Sequence, residues 1–142
     1  MTNGKRKVRF AVPAALAVLL LPLALNIGVM AVNDMGAALE ERKLLAAAED
    51  SGFSAVSSGH RVGRFNANGN GTMYLSAVFL SDMPGETFTG FEGFEWYGSY
   101  TPEEYDEEYG HYLVPPEEYA CAVVEVSSPE NWVLYDVDLR GH

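Results

Sequence analysis

The sequence predicts an α+β fold: one N-terminal transmembrane helix, then a small domain in which a long helix packs on an antiparallel sheet of about four strands. Three observations predict it. An uncharged apolar run fills the first part of the chain, a segment rich in strong helix formers follows at once, and several β-rich runs separated by turn residues occupy the rest.

The apolar run extends from Ala11 to Val32, preceded by Lys5, Arg6, Lys7 and Arg9 with no acid among them. At 1.5 Å per residue, a 22-residue helix covers about 33 Å, enough for a hydrocarbon core of about 30 Å. The chain therefore divides into a basic tail at 1–10, a signal-anchor at 11–33 and an acidic domain at 34–142. Lys and Arg favour the cytoplasmic side of a crossing segment, so the domain is expected outside the cytoplasm, in the cell envelope, on a single-pass membrane protein. The alternative is secretion after cleavage near Ala31, since Val29-Met30-Ala31 has the small or branched residues of a cut site and Pro22, Asn26 and Gly28 weaken the helix there.

Asn33 or Asp34 reads as the cap of a second helix running from Met35 to about Asp50, rich in Ala, Leu, Glu and Lys. Only Gly36 separates it from the apolar run, so the two are expected to be nearly continuous. Ala37, Ala38, Leu44, Leu45 and Ala48 form its apolar stripe, interrupted by Glu41, and Ser51-Gly52-Phe53 reads as a left-handed stop. Phe53 to Phe65 and Thr72 to Leu80 form a β-hairpin around the Asn- and Gly-rich turn 66–71. Both faces of its second arm are apolar, as a central strand covered on two sides requires. Thr101-Pro102-Glu103-Glu104 begins a short helix with a capping box, ending at Gly110. Tyr119 to Val126 and Trp132 to Leu139 are read as the two strands of a second hairpin.

All 20 acidic residues of the chain lie after Asn33, against five basic ones there, so the domain carries −15 while the whole chain carries −11. Such a domain has no counter-charge for a phosphate backbone, which argues against nucleic acid. It suits a basic protein or peptide, or metal ions. The single cysteine, Cys121, forms no internal disulfide, and Ala120-Cys121-Ala122-Val123-Val124 reads as a buried strand rather than the setting of a nucleophile.

The stretch where acids alternate with aromatics has two readings: a partner-binding surface of Trp96, Tyr97, Glu103, Glu104, Tyr105, Glu107, Glu108 and Tyr109, able to take a basic segment or a hard cation, or, as a charge run more often is, a solvated face whose tyrosines pack their rings inward. No catalytic, cofactor or metal site is assigned. The loop 66–71 has the oxygen donors of a calcium loop, but Ala77 stands where its closing carboxylate is required. His60, His111, His142 and Cys121 lack the spacing of a zinc set. Phe88, Phe91, Phe94 and Trp96 read as the lid of a satellite core. The expected function is that of a membrane-anchored, extracytoplasmic binding or accessory module and not an enzyme; the alternative is a small hydrolase acting on envelope glycans through Glu92 or Glu95 beside Trp96 and Tyr97.

Overall fold

The computed structural model describes residues 3–65, 71–85, 88, 90–91, 93–94, 97–129 and 137–141. Helix α1 runs unbroken from Asn3 to Asp50, about 72 Å at the standard rise. Its first half is long and apolar enough to cross a membrane. Leu16, Leu19, Leu20, Leu23 and Ile27 are all exposed there. The second half is a layer of the domain, and no break separates the two. Asn33 therefore caps nothing: it lies in the helix interior, and the good helix formers on both sides carry the helix across it. The stop is as the sequence indicates. Gly52 adopts φ +85°, its amide donates to Glu49 O at 2.9 Å and that of Phe53 to Ala48 O at 3.0 Å, the paired bonds of a Schellman ending.

Strands β1 (Ala55–Gly63), β2 (Met73–Leu80), β3 (Tyr97–Tyr100) and β4 (Cys121–Ser127) form one antiparallel sheet in the order β1-β2-β4-β3. β1 and β2 are the expected hairpin, with Gly63 opposite Met73. β2 sits between β1 and β4 and is buried along almost its whole length, so its two apolar faces are both used. On one face Val78 and Leu80 pack with Cys121 and Val123 against Leu44 and Ala48 of α1, closed at the far end by Phe91 with Phe53, Phe88 and Phe94. The Gly- and Phe-rich insert thus completes the main core instead of a separate one. On the other face Leu75, Ala77, Phe79, Ala122 and Val124 pack under Tyr105 of helix α2 (Pro102–Glu108), with Phe65 at the edge.

The sheet contains a strand that the sequence did not indicate. The fourth strand is β3, four residues long, which pairs Tyr97 with Glu125 and Tyr100 with Ala122; its aromatic and Gly composition hides any alternation. The expected strand at 132–139 lies mostly outside the described residues, and its end forms a turn at Val137 and a 3₁₀ turn at Leu139–Gly141. Among the described residues β4 pairs with β2 and β3, so the chain from β2 reaches β4 by a crossover past β3.

Candidate functional site

The acidic helix α2 opens with the capping box its sequence specifies. Thr101 Oγ1 accepts from the Glu104 amide at 3.4 Å, and the Thr101 amide donates to Glu104 Oε2 at 2.9 Å. The bonds that Glu104 Oε2 accepts from the Thr101 amide and hydroxyl, each at 2.9 Å, hold its carboxyl below the usual range. Tyr105 faces inward with no exposed surface. Its hydroxyl donates to Leu113 O at 2.9 Å and its ring meets Phe79 edge-on at 5.1 Å; burial drives its hydroxyl pKa up. Tyr109 is half-buried, edge-on to Tyr100 at 5.3 Å, and its hydroxyl is likewise raised, first by burial and then by Tyr100.

Of the residues expected to meet a partner, Glu103, Glu107 and Glu108 are therefore the ones turned to solvent without an ion pair or hydrogen bond among the described residues. Glu104 is engaged by its cap, and Tyr105 is a core residue with no surface to offer a partner. Trp96 lies outside the described residues, and Tyr97 is placed only by its backbone pairing in β3. Glu103 and Glu107 are spaced i,i+4, as are Glu104 and Glu108, an arrangement in which like charges repel along one helix face.

A second polar group lies beneath α1, where the sequence reads only core. Sheet register aligns His60, Ser76 and Glu125 in one row across β1, β2 and β4, on the face that carries Val78 and Val123. α1 meets this row with Glu41, which accepts from the Ser58 hydroxyl at 2.5 Å and lies 2.5 Å from His60 Nδ1. Glu41 interrupts the apolar stripe because these two β1 side chains stand opposite it. Ser76 Oγ and Glu125 Oε2 are buried and have no hydrogen-bond partner among the described residues. Glu125 is only 9% exposed. Burial, reinforced by Glu40 and opposed by Lys43, pushes its carboxyl up to about 7. It lines an open cleft of about 450 Å³ with Glu40, Lys43, Asp50 and Phe94.

A serine, histidine and carboxylate in proximity invite comparison with a hydrolytic triad, but Ser76 Oγ is sealed from solvent and offers a substrate no nucleophile. Cys121 is buried as well, and burial raises its thiol above the range of a reactive thiolate. No cluster of three or more His, Cys, Asp or Glu suited to a metal occurs among the described residues. Glu92 and Glu95, the carboxylates of the hydrolase alternative, lie outside them.

The third feature joins the end of the chain to the middle of α1. Asp138, wholly buried, receives Asn33 Nδ2 at 2.7 Å and two guanidinium bonds from Arg140, at 3.0 and 2.7 Å. Arg140 also donates to Met30 O at 3.0 Å and to Asp34 at 2.8 Å. Asn26 Nδ2 donates to Val137 O at 2.5 Å, and the Tyr74 hydroxyl to Asn33 Oδ1 at 3.1 Å. Burial would raise the Asp138 carboxyl, but the hydrogen bonds from Arg140 and Asn33 outweigh it and hold it below its usual range. Asn26, Met30, Asn33 and Ala37 follow the i, i+4, i+7 stripe of one helix face, so this latch continues the packed seam of α1 back into the apolar run. The two asparagines within an uncharged segment were the sequence signal for it.

No family model, curated protein or solved structure matches the chain.

Proposed function

We propose that the protein is a membrane-anchored, extracytoplasmic module of the cell envelope that binds a basic protein or peptide partner through its acidic α2 face. The observation that carries this reading is the division of labour within α1: one unbroken helix whose first half is bare and apolar and whose second half is a core layer of an acidic domain. An apolar surface of that size has no stable place in water, whereas a bilayer accommodates it. Retention of the segment, instead of cleavage near Ala31, is supported by the latch. Val29 is 4% exposed, and Asn26 and Met30 bond to the C-terminal turn; all three would leave with a cleaved signal.

The test is capture by crosslinking in the native membrane, comparing the full chain with a variant carrying Glu103→Gln, Glu104→Gln, Glu107→Gln and Glu108→Gln. Loss of the captured partner at unchanged expression is the expected result. Capture of the same partner by the quadruple variant would remove α2 as the binding face.

A further inference from the structure

The apolar half of α1 is too short for a bilayer if the domain stands clear of it. The last basic residue of the tail is Arg9, and the domain first grips the helix at Asn26. Sixteen uncharged residues, 10–25, lie between, about 24 Å of helix against about 30 Å of hydrocarbon. α1 is continuous helix on both sides of the junction. A shortfall of about four residues puts the membrane boundary near Val29, level with the latch.

The latch end is built to meet that boundary. Leu139 is 70% exposed although its neighbours Asp138 and Arg140 are tied to the helix, and Ile27 is exposed on the same stretch of α1. Arg140 stands beside them with its guanidinium partly open to solvent, and Arg64 is exposed just beyond the end of β1. β2 runs in the same direction as α1, because Tyr74 meets Asn33 while Leu80 packs with Ala48. The loops after β2 and the start of α2, with Asp82, Glu103 and Glu104 exposed, therefore lie at the opposite end of the sheet. Among the described residues, exposed apolar side chains and Arg64 stand where the helix emerges, the two acids there, Asp34 and Asp138, are both paired with Arg140, and the unpaired acids Asp82 and Glu103 lie at the far end.

We propose that the domain sits directly on the bilayer, with Leu139 and Ile27 in the interfacial layer and Arg64 at the level of the lipid phosphates. This rests on the anchored reading and adds a second contact surface to it. An exposed leucine next to an arginine on a rigid turn has the amphipathic character of an interfacial anchor, and the length shortfall supplies the reason it is held there.

Spin labels test it in the full chain, reconstituted in vesicles of phosphatidylethanolamine and phosphatidylglycerol. Cys121 is fully buried, so single added cysteines take the label selectively. Leu20→Cys reports the helix, Leu139→Cys the latch and Met83→Cys the far end; the native side chains are 50%, 70% and 56% exposed, so all three sites tolerate substitution. Collision with oxygen, which concentrates in lipid, is compared with collision with a water-soluble nickel chelate. The expected oxygen-to-nickel ratio is highest at position 20, several-fold lower but still well above the aqueous value at 139, and aqueous at 83. A position 139 as open to nickel as position 83, with position 20 deep in lipid, would overturn the seated domain and leave the anchor intact. Position 139 shielded from both agents would mean a protein neighbour covers it, and would also overturn the proposal. An aqueous reading at position 20 would remove the anchor and the seat together.

Discussion

Glu125 holds a carboxyl against the underside of α1, with one oxygen unpartnered beside an equally unpartnered Ser76. Glu40, Lys43 and Asp50 face its cleft from the helix. Its folded value of about 7 lies above its ordinary 4.5, so the folded state keeps a proton that the unfolded state releases. Stability must then fall as pH rises from about 4.5 to about 7, and stay level above. A difference of about 2.5 pKa values corresponds to a penalty of up to about 3 kcal/mol at pH 8. Glu125→Gln should therefore raise the unfolding free energy by that order at pH 8 and leave it unchanged below pH 4, as read by denaturant unfolding at both values. Equal curves at pH 8 would mean that the carboxyl finds a partner when ionised. Glu125 was hidden in the sequence because a single acid between Val124 and Val126 reads as the wet side of a strand. Only the register, which aligns it with Ser76 and His60 under a helix, makes it a buried charge. Asp138 and Arg140 escaped for a related reason: their partners Asn33 and Met30 are more than a hundred residues away in sequence.

Elements whose formation is governed by local chemistry were the most legible. The capping box of α2 needs only Thr101, Pro102 and Glu104 in order, the stop of α1 only Gly52 before an apolar residue, and the β1–β2 hairpin only two apolar runs about a turn. Each forms as its residues specify. β3 was not legible because its four residues gain their pairing from β4, not from any alternation of their own. Thr101→Ala should cost about 1 kcal/mol, the ordinary worth of an N-cap. The loss should appear as a lower urea midpoint with an unchanged slope, because α2 is held by Tyr105 in the core as well as by its cap. A changed slope would mean that α2 unravels separately from the sheet. Partner capture should weaken in the same variant, since Glu103 and Glu107 are presented by the helix that the cap begins.

For the molecule as a whole, α1 is an exposed apolar helix and a core layer of the domain at once, and the latch decides how firmly the two parts are joined. Val29, Asn26 and the Met30 carbonyl belong by sequence to the apolar run and by contact to the domain. A chain beginning at Val32 keeps Asn33, Asp34 and every strand but loses those three contacts. Burial of one valine is worth about 1.5 kcal/mol and two hydrogen bonds about 1 kcal/mol each, so the trimmed domain should be less stable by roughly 3 kcal/mol. For a unit of about a hundred residues this lowers the melting temperature by on the order of 10 °C. The comparison is thermal unfolding of the full chain and of the chain from Val32 in the same detergent, with Arg140→Ala measured in each. In the full chain that substitution removes the tie to Met30, the pair with Asp34 and the guanidinium fork on the buried Asp138; in the trimmed chain the tie to Met30 is already gone, so its effect should be smaller there. An equal effect in both would show that the latch ends at Asn33, that the domain is complete without the apolar run, and that a secreted form would fold as well as an anchored one.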